Sequence, residues 1–155
     1  LNRLPPKIFL DTSAIFSAIY SSTGGARELL RLGEMGIIQL VVSLDVLSEL
    51  DENLRVKAPN KLVTLAAVMN LSRVAVTQPP DVSTIQECQQ WLQYSDDAVV
   101  TAAAVIASVD YFVTLDRQHF LGNKGLQSSV SFRFGTPGDC LAWLRLQLIM
   151  PPKLL

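Results

Sequence analysis

Histidine is almost missing from this sequence, His119 being the only one. A lone imidazole leaves little basis for a zinc site, and with no serine or cysteine evidently paired to it, it does not suggest a hydrolase triad either. Cysteine is nearly as scarce. Cys88 and Cys140 are the only two, stand far apart and sit among apolar neighbours in helix-like segments, so they read as buried reduced thiols and not as a disulfide. No apolar run approaches the roughly 18–20 residues of a membrane span, and the start shows no basic-then-apolar leader pattern; a soluble cytoplasmic protein is the expectation. Net charge is −1, which supplies no broad basic footprint, so a nucleic-acid partner has to be held by a local feature. A glycine-rich phosphate loop is missing too: Gly24 and Gly25 are an isolated pair. Repeats and low-complexity tracts do not occur.

What remains is apolar and alternating. About half of the 155 residues are hydrophobic, 49%, which predicts a core of domain size and one domain over residues 1–150, followed by a frayed tail at 151–155. "KIFL" (Lys7 to Leu10) reads as a strand and the residues after Asp11 as a helix. "ARELLRLGEMG" reads as a helix stopped by Gly36, "IIQLVV" (Ile37 to Val42) as a second strand, and Ser43 as the cap of a helix with a buried stripe of Val46, Leu47, Leu50 and Leu54. "KLVTLAAVMNL" predicts a further helix, "RVAV" a brief strand, and Asp81 the cap of a helix running through Cys88 and Trp91. "AVVTAAAVIASV" predicts a small-residue helix packed closely on a sheet, and "YFVTL" (Tyr111 to Leu115) the next strand. The end offers a weak strand near "SVSFRF" and a last helix in "GTPGDCLAWLRLQL". Strands alternating with helices imply an α/β fold with a parallel sheet covered on both faces, and ligands of such sheets gather at the carboxyl ends of the strands.

Carboxylates recur at those ends: Asp11 in "FLDTS", Glu49 in "VLSEL", Asp96 and Asp97 in "YSDDA", Asp116 in "VTLDR". Each has a structural alternative, since Asp11 can cap a helix, Asp96 and Asp97 suit a first helical turn, and Glu49 suits a solvated face. Together they repel, and burial would neutralise some of them unless a cation offset the charge. All-oxygen donors favour hard ions, Mg²⁺ or Mn²⁺.

"FLDTSAIFSAIYSSTGGARELL", "LVVSLDVLSEL", "SDDAVVTAAAVIASVDYFVTLDRQHFL" and "TPGDCLAWL" resemble, in order and spacing, the PIN-domain nucleases, in particular the small single-domain group of VapC-like toxins, over Ile8 to Trp143. The resemblance implies a Rossmann-like, three-layer PIN domain with a central parallel sheet flanked by helices, and an acidic cluster that hydrolyses phosphodiester bonds, usually of RNA. By the same resemblance Asp11, Glu49, Asp97 and Asp116 look like the four metal-binding acids, with Asp96 as the alternative register for Asp97. Thr12, Ser13 and Thr114 look like the hydroxyl residues that support such a site, caps and strand hydroxyls being the alternative. Asp110 looks like a structural aspartate. Leu115 stands where many relatives have glycine, and a side chain there is expected to crowd the turn.

The expected activity is hydrolysis of RNA by a metal-activated water, with Mg²⁺ or Mn²⁺ held by the four acids and no side-chain nucleophile. Arg117 is a candidate phosphate contact with solvated surface as its alternative, and the small basic group Arg55, Lys57 and Lys61 reads first as solvated surface with phosphate contact as its alternative. Expected partners are RNA and, from the resemblance, an antitoxin protein and a second copy of the chain; no membrane is expected. A haloacid-dehalogenase phosphatase is set aside because Ser13 stands where that family has its second aspartate. The rival from another class is a non-catalytic PIN-like scaffold that binds RNA or protein without cleaving.

Overall fold

A computed structural model describes residues 4–149; the expected frayed tail, 151–155, lies outside the described residues. Five strands, β1 (Lys7–Leu10), β2 (Gln39–Val42), β3 (Ala75–Val76), β4 (Tyr111–Val113) and β5 (Arg133–Gly135), form one sheet in the order β3-β2-β1-β4-β5. All four pairings are parallel. A parallel strand needs a crossover to reach its neighbour, and helices supply it: α1 (Thr12–Tyr20), α2 (Gly25–Glu34), α3 (Leu44–Lys57), α4 (Lys61–Leu71), α5 (Val82–Gln89), α6 (Ser95–Ile106), α7 (Lys124–Ser129) and α8 (Pro137–Ile149). They flank the sheet in the three-layer arrangement expected. Covered on both faces, β1 has no polar side; Ile8, Phe9 and Leu10 are all buried, a continuous apolar run instead of an alternation.

Several boundaries move, each for a local reason. The second strand starts at Gln39 because Ile37 belongs to the preceding helix end: its N–H donates to the Leu32 carbonyl at 3.0 Å while Gly36, at φ +72°, donates to Gly33. That pair of bonds is a Schellman cap, and the left-handed backbone is why a glycine stops α2. "RVAV" shrinks to Ala75–Val76, since Arg73 takes φ +53° and cannot extend the strand. "YFVTL" ends as a strand at Val113, and the weak strand in "SVSFRF" narrows to Arg133–Gly135. Trp91 falls beyond α5, which closes at Gln89. A π-helical turn, Arg117–Leu121, and the short α7 follow β4.

The core under β4 is aromatic. Phe112 stacks on Phe9 at 4.9 Å and meets Phe120 at 5.0 Å and Phe134 at 4.8 Å. Phe120 thereby pins the π-helical turn to the sheet. α6 buries Ala98, Ala102, Ala103 and Ala104 completely, small side chains that let neighbouring elements approach its backbone.

β1 and β4 are neighbours in space, yet the chain leaves β1 toward β2 and β3 and returns past it to β4 and β5. The order reverses between them, and the crevice at their carboxyl ends is where such a sheet accommodates ligands. Asp11 follows β1 and Asp116 follows β4.

Candidate active site

Asp11 occupies the N-cap position of α1 with extended backbone, φ −76° and ψ 162°, but its side chain makes no cap hydrogen bond. Its N–H donates to the Val113 carbonyl at 3.0 Å, so the β1–β4 ladder fixes its backbone. The carboxylate turns across that seam instead, and Oδ2 accepts from Thr114 Oγ1 at 2.8 Å. Thr114 Oγ1 in turn accepts from the Asp116 N–H at 3.0 Å, and Ser13 Oγ accepts from the Leu115 N–H at 2.9 Å. Two hydroxyls thus tie the loop after β1 to the loop after β4. Leu115 does not crowd this turn: its side chain is 44% exposed and its φ is not positive, so the position does not require glycine.

Glu49 comes from α3, whose first turn Ser43 caps through the Val46 N–H at 3.2 Å. Thr12 Oγ1 donates to Glu49 Oε2 at 2.7 Å and draws the glutamate toward α1. Asp97 sits in the first turn of α6 and is partly buried, whereas Asp96 beside it is exposed. Asp116 caps the π-helical turn, its Oδ1 accepting from the His119 N–H at 2.9 Å. Asp110 lies apart from these, receiving the Lys7 N–H on Oδ2 at 2.7 Å.

All five carboxylates, Asp11, Glu49, Asp96, Asp97 and Asp116, line one cavity of about 310 Å³, together with Thr12, Ser13, Asn53 and Lys57. Arg117 is exposed and does not line it. Lys57 does, the one member of the basic group Arg55, Lys57 and Lys61 to do so; of its two companions, Arg55 pairs with Asp51 at 2.7 Å and Lys61 lies over the Tyr20 ring at 5.8 Å. The overlooked signal was spacing: Glu49, Asn53 and Lys57 recur every fourth residue, one row along α3.

His119 is the other residue the sequence undervalued. Its Nδ1 is 2.9 Å from Asp116 Oδ2 and 3.2 Å from Asp97 Oδ2. Asp97 Oδ2 is nonetheless buried without a hydrogen bond, because the imidazole is near it but not aligned for one.

Crowding of like charge shows in the acids themselves. Burial raises the Asp11 carboxyl from 3.8 to about 6 against the opposing Thr114 hydrogen bond, with Glu49 and Asp116 pushing the same way. Asp97 is also raised, by burial first; His119 partly offsets this, while Asp116, Asp96 and Glu49 add to it. Such a donor set, all carboxylate oxygen with one buried oxygen lacking a donor, fits a hard divalent cation by chemistry. The groups are not already drawn into a cage: among the described residues, no three or more His, Cys, Asp or Glu side chains are gathered so as to hold one ion.

Fold and pocket together define a parallel α/β domain with an acidic crevice at the switch point of its sheet. The PIN domain matches residues 7–118, a span that includes every one of these carboxylates, and the chain belongs to the PIN-domain family. Its fold is VapC-like. A chain of the VapBC2 assembly of Rickettsia felis, solved bound to a DNA fragment from their promoter, aligns with a TM-score of 0.64 at 14% identity, covering 84% of this chain and 98% of that one. VapC20 of Mycobacterium tuberculosis, described as a sarcin-ricin loop cleaving toxin, aligns with a TM-score of 0.50 at 19% identity over 72% of this chain and 91% of its own. A Pyrobaculum aerophilum protein aligns with a TM-score of 0.61 at 15% identity over 92% and 97%. At these identities the likeness is one of fold. No curated protein matches the sequence significantly.

Proposed function

We propose that this protein is a metal-dependent endoribonuclease, acting in the cytoplasm as the toxin of a toxin-antitoxin pair with an antitoxin protein as its partner. The observation that carries the nuclease reading is the set of five carboxylates converging on one pocket, with Lys57 as the sole Lys or Arg lining it among the described residues. The toxin reading is supported by fold likeness to a VapBC2 chain and to a toxin that cleaves the sarcin-ricin loop.

In this reading Asp11, Glu49, Asp97 and Asp116 hold Mg²⁺ or Mn²⁺, with Asp96 at the exposed rim. Bound there, the cation supplies an activated water and offsets negative charge on the departing oxygen. The chain's own residues prepare the place. Thr114 and Ser13 keep the Asp11 and Asp116 loops in register, and Thr12 orients Glu49. Lys57, at the α3 end of the pocket, offers a positive charge to the phosphate backbone, a role the sequence raises for its basic group and for Arg117 alike.

Labelled RNAs incubated with Mg²⁺, Mn²⁺ or EDTA test this. Cutting is expected with either metal and not with EDTA, and Asp11→Asn and Asp116→Asn are each expected to slow it by about 100-fold or more, a loss of several kcal/mol of charge stabilisation. Cutting that persists in EDTA, or in both variants, would overturn the mechanism. The scaffold alternative draws on one observation, that the acidic side chains are not gathered around an ion position. It predicts no divalent-ion binding in calorimetry.

A further inference from the structure

We propose that the α1 and α3 walls of the acidic pocket continue outward as a track for single-stranded RNA, on which Tyr20 stacks a base and Lys61 meets a phosphate beside it. The inference rests on the ribonuclease reading above and deepens it, naming the form of the substrate and two residues that reading does not use.

Two rows of side chains carry this. Along α1, Thr12, Phe16 and Tyr20 recur every fourth residue, and along α3 so do Glu49, Asn53 and Lys57. Residues at that spacing share a helix face. The rows join at the acid end, where Thr12 Oγ1 donates to Glu49 Oε2 at 2.7 Å, and Phe16, Asn53 and Lys57 line the pocket beyond that bond. Outside the pocket the α1 row goes on: the Tyr20 ring lies beside Phe16 with centroids 6.1 Å apart and planes 24° from parallel, and Lys61 Nζ, from the start of α4, stands 5.8 Å from the Tyr20 centroid. From Thr12 to Tyr20 the helix rises about 12 Å. Over that distance the groups pass from carboxylate to ammonium on one wall and from hydroxyl to aromatic ring on the other.

That order of groups suits a strand of alternating phosphates and bases. The phosphate to be cut belongs at the acids, where a cation offsets their charge; the phosphates after it need protein cations, and Lys57 and Lys61 follow in turn. Bases of a single strand are free to stack on aromatic rings, whereas those of a duplex are not. Tyr20 is 56% exposed, so its ring is open to one. The fold itself gives Lys61 little reason to be there. It is the first residue of α4, where the helix dipole disfavours a cation, and among the described residues neither Lys61 nor Lys57 pairs with a carboxylate.

A short fluorescein-labelled single-stranded RNA, titrated with the protein in EDTA to prevent metal-dependent cutting and followed by fluorescence anisotropy, tests this. It is expected to bind more tightly than a duplex of the same sequence. Tyr20→Ala is expected to weaken binding by about tenfold, while Tyr20→Phe, which keeps the ring, binds as the parent does. Lys61→Gln is expected to weaken it too and to reduce the slope of log affinity against log salt by about 0.7, the share of one phosphate contact. Equal affinity for the duplex, or affinity unchanged in both Tyr20→Ala and Lys61→Gln, would overturn the track and leave a protein segment as the occupant of this face; cutting by the parent in Mg²⁺ would show that the ribonuclease reading stands regardless. Binding that falls in both variants, with no cutting by the parent, would keep the track and overturn the nuclease. RNA neither bound nor cut by the parent would overturn both.

Discussion

Asp11 shows how one side chain can occupy a structural position without doing the structural job. Its backbone is that of an N-cap, but its carboxylate turns away from α1 to Thr114, 103 residues along the chain. The cost is electrostatic. With its carboxyl raised from 3.8 to about 6, the folded, metal-free chain keeps a proton between those values that the unfolded chain has released. The stability associated with that proton is complete below the lower value and is lost as pH rises through the upper one. Asp11→Asn removes the ionisation, so in EDTA at about pH 7.5 the variant should be more stable than the parent by about 1–3 kcal/mol, with the gain gone near pH 4. Denaturant melts at the two pH values measure this, and an equal difference at both would rule it out. That Asp11 mattered was legible, because an aspartate directly after a buried strand stands out. The Thr114 bond was not, because nothing local to either residue specifies it.

Elements were legible wherever a local rule acted alone. Ser43 and Asp81 cap their helices as their residue types suggest, and Gly36 stops α2 by a backbone few other residues adopt. Gly33 is different, since its reason is a neighbour. A Cβ there would lie 2.6 Å from Leu40 Cδ1 and 2.9 Å from the Ser72 carbonyl, and Leu40 is fully buried. Helix propensity favours alanine by about 1 kcal/mol, whereas overpacking costs about 1–3 kcal/mol and a fixed carbonyl cannot rotate aside. Gly33→Ala should therefore destabilise the protein by about 1–2 kcal/mol in chemical denaturation. A stability gain would mean that α2 shifts off β2 with ease. The π-helical turn escaped sequence reading for a similar reason: Phe120 is anchored by Phe112 and Phe134, so tertiary contact sets the winding of the turn that carries His119.

Across the whole molecule, the acidic crevice is a place where folding accumulates repulsion that a ligand can relieve. A cation that binds the folded chain and not the unfolded one stabilises it by mass action, about 2.7 kcal/mol at a hundred times the dissociation constant. Mn²⁺ at that excess should raise the melting temperature by roughly 5–10 °C, and Asp116→Asn should abolish the shift. An unchanged melting temperature at saturating Mn²⁺ would argue against binding in the crevice. By itself the sequence determined the alternation of strands and helices, the parallel sheet that follows from it, and the placing of Asp11 and Asp116 after strands, because hydrophobic period and capping chemistry act within a few residues. Only the tertiary structure decided which groups meet. The pairing of Leu10 with Val113 brings Asp11 to Thr114, and aromatic packing of the π-helical turn brings His119 to Asp97 and Asp116. The raised carboxyls follow from those meetings, since desolvation and like-charge repulsion depend on distance in space, which a parallel sheet sets between residues remote in sequence.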